Sequence, residues 1–322
     1  MNSKIIAISG DASFRKFYRI DTNKKSKIVV YSNKDKYQNL VAYSAINKFL
    51  RDNKILAPKL FEHNYNKGII VIEDFGDLSF YKVLIKKKNK LLIYKNLVDF
   101  LLKIQKIKPK FKIKNIINKT HQVNKYSQKY LQKEVDLFFK WYLPLILSKK
   151  KALKVEKKAK NILSQLCRKL FFPNSCFVHR DYHVQNLMKV GKKIGIIDSQ
   201  DALIGNPAYD LVSLIDDVRI KTSIKLKNQI YRYYLNKTSK VYRNNPKNFL
   251  QDFNILSVQR SLKIIGIFAR LYKRDKKKKY LKLIPYTWKL LEMRMNSKVF
   301  SELKKILDRN ISKKARKKYI YK

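Results

Sequence analysis

The sequence predicts an α+β chain in two lobes, a small mixed one followed by a large, mainly helical one, and three observations predict it. The 322 residues, 45% of them hydrophobic, can bury a large core and divide more naturally into two lobes than one. Up to about residue 77, short apolar runs alternate with polar turns, the pattern of strands. Beyond it, apolar residues recur at helical spacing over long stretches.

In the first lobe, the turn signal Ser9-Gly10-Asp11 precedes a strand over 14–20, and the polar stretch 21–26 sets off a second strand over 27–31. Leu40, Val41, Ala45, Phe49 and Leu50 have helical spacing within 37–52. Pro58 opens a short extended segment, and Gly68 precedes the buried-strand run 69–72. The order is strand, strand, helix, strand. Glu73-Asp74-Phe75-Gly76-Asp77 breaks the pattern and ends the lobe, so the first lobe is 1–77 and the second 78–311. In the second, 81–107 and 126–147 read as long helical stretches, with Pro144 bending or ending the latter. Two short apolar runs around a polar loop fill 177–197, with Gly191 at a hairpin turn, and helix returns from about 211 to 307. The basic tail 312–322 is expected to be loosely ordered.

The formal net charge is +52. Such a charge raises the possibility of a nucleic-acid or anionic-membrane partner. Two features favour a compositional origin. Lys far outnumbers Arg, the residue suited to bidentate phosphate and base recognition, and the lysines are spread along the whole chain. No obligate nucleic-acid partner is expected. Cys167 and Cys176 form no CxxC pair, no run reaches the roughly 18 apolar residues that span a bilayer, and the N-terminal apolar run is short for a signal peptide. A cytoplasmic protein is the expectation; the oligomeric state is left open.

The chemistry lies in Val178-His179-Arg180-Asp181-Tyr182-His183-Val184-Gln185-Asn186-Leu187-Met188, followed by Ile194-Gly195-Ile196-Ile197-Asp198. His-Arg-Asp with Asn five residues after the Asp, and a strand-ending Asp twelve residues after the Asn, is the spacing of a phosphoryl-transfer centre. Transfer to a hydroxyl needs a carboxylate to orient it and take its proton, the role Asp181 is placed for. It also needs a divalent cation on the nucleotide phosphates, and hard cations such as Mg2+ take oxygen ligands, which Asn186 and Asp198 supply. ATP and Mg2+ are the cofactors this implies. His179 is expected to pack and hydrogen-bond the loop, and Arg180 to pair with a carboxylate.

Asp198 is followed by Ser199-Gln200-Asp201-Ala202 rather than Phe-Gly, and the chain lacks GxGxxGxV and VAIK. The set looks like the aminoglycoside phosphotransferase and choline kinase superfamily, of bilobal protein-kinase-like fold. Within it the chain resembles the bacterial anomeric N-acetylmuramate and N-acetylglucosamine kinases. The resemblance rests on Gly10 to Arg19, Ile72 to Asp77, Val178 to Met188, Ile197 to Ala202, Gly205 with Tyr209 to Leu214, and Gln259 to Leu271 with Arg274-Asp275. It implies transfer of the ATP γ-phosphoryl group to the anomeric hydroxyl of an amino sugar, feeding peptidoglycan recycling. It also implies a hinge at Glu73, Asp74 and Phe75 against the adenine, in a cleft between the lobes, and a phosphate loop around Ala12, Ser13 and Arg15. Turn amides can cradle phosphates without a glycine-rich motif. Ser199 stands where the family usually has Phe, and neither Lys27 nor Lys34 is identifiable as the phosphate lysine. Choline, ethanolamine or an aminoglycoside as acceptor, and an inactive nucleic-acid-binding kinase fold, are the competing readings.

Four residues are candidates for the acceptor. Asp201 lies close to Asp198, though it could equally cap the next helix. Glu134, Phe138 and Trp141 fall at i, i+4 and i+7, one face of an α-helix, where a carboxylate and an aromatic would suit a sugar as well as a core stripe would. Arg260, Lys263 and Arg270 share a helical face and could receive an acidic group such as the lactyl carboxylate of N-acetylmuramate.

Overall fold

The computed structural model describes residues 4–8, 15–21, 26–33 and 37–317. Its contacts divide the chain into two units, Met1–Lys125 with Cys176–Ile204, and Tyr126–Ser175 with Gly205–Lys322. The division differs from a cut at residue 77: the segment carrying Asp181, Asn186 and Asp198 groups with the N-terminal sheet.

The first unit holds a five-stranded sheet of β1 (Lys4–Ile8), β2 (Lys16–Asp21), β3 (Lys27–Tyr31), β4 (Leu60–Asn64) and β5 (Ile69–Glu73). The order is β1-β2-β3-β5-β4, antiparallel throughout. The second and third strands fall where the sequence places them, as does helix α1 (Tyr37–Asp52). The edge strands β1 and β4 were read only as an apolar run and an extended segment, because an edge strand needs no buried face on both sides. Alternation in β3 and β5 turns Ile28, Val30, Ile70 and Ile72 inward against Leu40, Val41 and Tyr43 of α1. Gly68 makes the β4–β5 connection possible. Its φ is +67°, and a Cβ there would lie 1.9 Å from the Ser32 carbonyl oxygen.

After β5 the stretch 81–107 is two helices, α2 (Phe80–Ile85) and α3 (Leu91–Gln105). The run Lys86-Lys87-Lys88-Asn89-Lys90 has no apolar residue to bury, so periodicity alone joined what the chain separates. The hairpin Leu187–Val190 and Lys193–Ile196 turns at Gly191, φ +57°. Leu56 bridges to Gly195 and Ser79 to Met188, which fastens the hairpin beneath the sheet.

The second unit is helical around the 28-residue helix Pro246–Lys273. The predicted helix 126–147 is instead α4 (Gln128–Leu137), a π-helical turn Phe138–Tyr142 and a last turn Leu143–Ile146. Pro144 has no N–H to give, and the wide turn just before it carries the chain past that gap. Gly266 of the long helix packs on the same spot. A Cβ there would fall 2.3 Å from the Leu137 carbonyl carbon and 2.4 Å from the Phe138 nitrogen. Asp216 is buried where Lys227, Arg294 and Ser257 converge on it. Burial works to raise its pKa, but the two cations outweigh it and hold the carboxyl far below its ordinary value.

The tail is more ordered than expected. Lys313–Lys317 is helical, and the buried Arg316 lies over the Trp288 ring at 4.9 Å while pairing with Glu292 and Asp308, both at 2.8 Å. Residues 318–322 lie outside the described residues. No helix among the described residues is long and apolar enough to cross a membrane.

Candidate active site

Asp181 and Asn186 are joined by one hydrogen-bond ladder to Ile197, the residue before Asp198. The Asp181 carbonyl accepts from the His183 backbone N–H at 2.9 Å and from Asn186 Nδ2 at 3.1 Å. Asn186 N donates to the His183 carbonyl at 2.9 Å, and Ile197 N donates to the Asn186 carbonyl at 3.0 Å. The polar loop is thereby closed against the segment that leads into Asp198. His179 is fully buried and bonded through Nε2 to the Ile197 carbonyl at 3.1 Å. Burial lowers its pKa, so the ring is neutral and Nε2 carries the proton donated. It braces the loop, as expected. Arg180 donates to the Asp201 carbonyl at 3.0 Å.

Arg180 and Asp198 have φ values of +72° and +64°, in the left-handed region that non-glycine residues seldom adopt. Such backbone persists only where neighbours hold it. At Asp198 they are identifiable. Arg15 Nη2 donates to Asp198 Oδ1 at 2.5 Å and Arg15 Nη1 to Gln200 Oε1 at 2.9 Å. Ser199 Oγ donates to Asn47 Oδ1 of α1 at 2.6 Å. The Arg15 guanidinium is 6% exposed and lies over the rings of Phe17 and Tyr43, at 5.5 and 5.7 Å.

Tyr43 and Asn47 stand in no motif that marks them in the sequence, and Gln200 stands only within the segment Ile197 to Ala202. The signal present was a polar residue, Asn47, among the apolar positions of α1.

The segment 73–77 is fixed by Arg19 of β2. Its guanidinium donates to both Asp74 oxygens, at 2.6 and 3.2 Å, and to both Asp77 oxygens, at 2.9 and 3.0 Å. Asp74 also accepts from Ser26 at 2.7 Å and Gly76 N at 2.8 Å. Burial would raise the Asp74 carboxyl, but these donors, Arg19 foremost, hold it below its ordinary value. Glu73 accepts from Lys59 N at 3.1 Å and Arg51 at 3.4 Å. The Asp74 side chain is therefore spent within the fold, as is the Glu73 backbone N–H, which donates to the Lys59 carbonyl at 2.8 Å. Phe75 packs against Gly195, where a Cβ would fall 2.7 Å from Cε2 of the ring.

Other candidates fall as follows. Ala12, Ser13 and Lys34 lie outside the described residues. Lys27 pairs with Glu62 at 3.2 Å. Asp201 is exposed and accepts from Gln200 at 2.8 Å. It caps no helix, since the next begins at Ala208 and takes Asn206 Oδ1 on its Ala208 N–H, at 2.9 Å. Glu134 is buried, ion-paired to Lys263 at 2.7 Å and hydrogen-bonded by the Tyr126 hydroxyl. Trp141 lies in the π-helical turn and is partly buried against the core of the second unit. Arg260 is buried on the long helix.

The family model described as "Phosphotransferase enzyme family" matches residues 4–243. An N-acetylmuramate/N-acetylglucosamine kinase of Neisseria meningitidis serogroup B is 27% identical over 86% of this chain and 81% of its own length. One of Pseudomonas aeruginosa is 28% identical over 90% and 83%. Among solved structures, a Plasmodium vivax ethanolamine kinase superposes with a TM-score of 0.63 at 14% identity, over 93% of this chain and 84% of its own. A spectinomycin phosphotransferase in complex with ADP and spectinomycin gives 0.59 at 14%, over 92% and 93%. At that identity the likeness is one of fold, and it agrees with the α+β, kinase-like architecture described above. With the family model covering well over half of it, the chain belongs to the phosphotransferase enzyme family.

Proposed function

We propose that this chain is an ATP- and Mg2+-dependent kinase that phosphorylates the anomeric hydroxyl of N-acetylmuramate or N-acetylglucosamine, in the cytoplasm, as part of cell-wall sugar recycling. The observation that carries the kinase reading is the ladder from Asp181 through Asn186 to Ile197, which ties the loop holding Asp181 and Asn186 to the residue before Asp198. The names borne by the relatives of Neisseria and Pseudomonas, matched over most of both chains, support the amino sugar.

The residues suit a magnesium ion. Asn186 spends its amide nitrogen on the Asp181 carbonyl, so the amide oxygen is the end left for a cation. Asp198 offers a carboxylate. Among the described residues no group of three or more His, Cys, Asp or Glu side chains gathers into a metal cage. Few protein oxygens, with the rest supplied by phosphates and water, is how magnesium is held in phosphoryl-transfer sites. When bound there, the ion neutralises charge on the nucleotide phosphates. Asp181 orients the sugar hydroxyl and takes its proton as the new oxygen–phosphorus bond forms and the bond from the γ-phosphorus to the bridging oxygen of ADP breaks. The segment of Ala12, Ser13 and Arg15 is the phosphate loop on this reading, and the segment of Glu73, Asp74 and Phe75 is the adenine hinge. On this reading the working lobes are 1–77 and 78–311, and Asp201 and Arg260 are the side chains to examine for contact with the acceptor.

The test is ATP consumption with Mg2+ against N-acetylmuramate, N-acetylglucosamine, choline, ethanolamine and an aminoglycoside, with Asp181→Ala alongside. Turnover on an amino sugar, reduced by about 10³-fold in the variant while its circular dichroism and melting are retained, is expected. Turnover on choline or an aminoglycoside alone would withdraw the sugar. Wild-type rates in Asp181→Ala would remove Asp181 from the mechanism.

A further inference from the structure

Helix α1 buries an amide that its packing does not require. Asn47 is 2% exposed, and its Nδ2 makes no well-formed hydrogen bond, the Tyr43 hydroxyl being the polar group beside it. An apolar side chain of the same size would fill the place without leaving a buried donor unsatisfied. What the amide does accomplish is at its other end. Its oxygen accepts from Ser199, itself fully buried, at 2.6 Å. Ser199 directly follows Asp198, whose φ of +64° has to be maintained by its surroundings. One turn before Asn47, Tyr43 lies beside the same amide and under the guanidinium of Arg15, which grips the Asp198 carboxylate. Two residues of one helix turn thus act on both sides of Asp198, one on its backbone and one on its side chain.

We infer that Asn47 and Tyr43 are positioning residues for the metal-binding carboxylate: Asn47 acts through Ser199 and Tyr43 through Arg15, so that α1 sets the direction in which Asp198 points. The inference rests on the reading of Asp198 as a magnesium ligand. It gives Ser199 a function that follows from its hydroxyl, and makes the seating of α1 on the sheet a determinant of metal affinity.

The readout is the ratio of two dissociation constants of the full-length chain for AMP-PNP, one in EDTA and one in Mg2+, measured by calorimetry. Ser199→Ala and Asn47→Leu are each expected to lower that ratio about fivefold, the worth of one hydrogen bond. Affinity in EDTA should stay at the wild-type value. Ser199→Thr keeps the hydroxyl and restores the ratio. Tyr43→Leu lowers it, and Tyr43→Phe, which keeps the ring under Arg15, does not. Asp198→Asn, run in parallel, should bring the ratio close to one. If it does so while Ser199→Ala and Asn47→Leu change only the melting temperature, the role assigned to α1 is wrong and Asp198 keeps its own. A wild-type ratio in Asp198→Asn would overturn both. Ser199→Ala removes a single atom, so it decides the matter even if Asn47→Leu does not fold.

Discussion

The guanidinium of Arg19 and the carboxylate of Asp74 face each other with two hydrogen bonds, at 2.6 and 3.2 Å, on an Asp side chain only 3% exposed. The pair ties the segment after β5 back to β2. Asp74→Asn should cost about 2 kcal/mol at neutral pH, below the range for a fully buried pair because Arg19 is partly exposed and keeps Asp77. The folded pKa of Asp74 is depressed, so its contribution is complete above the unfolded value of about 4 and is lost as pH falls through the folded one. Urea titrations from pH 7 to pH 3 should show a fall in wild-type stability that is smaller in Asp74→Asn. Parallel curves for the two proteins would mean that the pair contributes nothing.

Gly266→Ala should destabilise the second unit by about 3 kcal/mol, because the new methyl meets backbone atoms of Leu137 and Phe138 rather than a side chain that can move. The lower melting temperature is the measurement. An unchanged one would show that the π-helical turn yields to the added atom.

Glu134 and Lys263 form a buried pair, 2.7 Å apart, each less than a tenth exposed. Lys263→Met should cost about 3 kcal/mol, since it leaves the carboxylate without its cation. Adding Glu134→Leu to it should recover much of that loss. If the double variant is stable but loses the amino sugar selectively, with KM rising and ATP affinity unchanged, the pair belongs to acceptor recognition as well as to the core.

Removing residues 313–322 should lower stability by about 2 kcal/mol. Arg316 then no longer covers Trp288, and Glu292 and Asp308 lose their shared cation. Truncation after Lys317 keeps Arg316 and should leave the melting point at its full-length value. Equal melting points for both truncations would make the docked helix irrelevant to stability.

Much of the fold and the centre of the site can be read from the sequence because both rest on local regularities. Apolar runs set off by a polar stretch and by Gly68 place β3 and β5, 3.6-residue periodicity places α1, and the intervals between Asp181, Asn186 and Asp198 require a turn and a hairpin that nearby residues can make. What failed was what depends on partners distant in the chain. The unbroken helix expected over 126–147 gave way to a π-helical turn on which Gly266 packs, 128 residues beyond Phe138. The tail orders because Arg316 finds an aromatic ring and two carboxylates, none of them visible in a run of lysines.

The sequence by itself determined that this chain is α+β and that Asp181, Asn186 and Asp198 stand at the spacing of a phosphoryl-transfer centre, since apolar runs, helix period and motif spacing are all properties of neighbouring residues. The tertiary structure alone decided which groups hold that centre. Arg15 meets Asp198 across 183 positions and Ser199 meets Asn47 across 152. Hydrogen bonds of that span exist only once the sheet and α1 have packed, because closing such a loop costs chain entropy that only the surrounding core can offset.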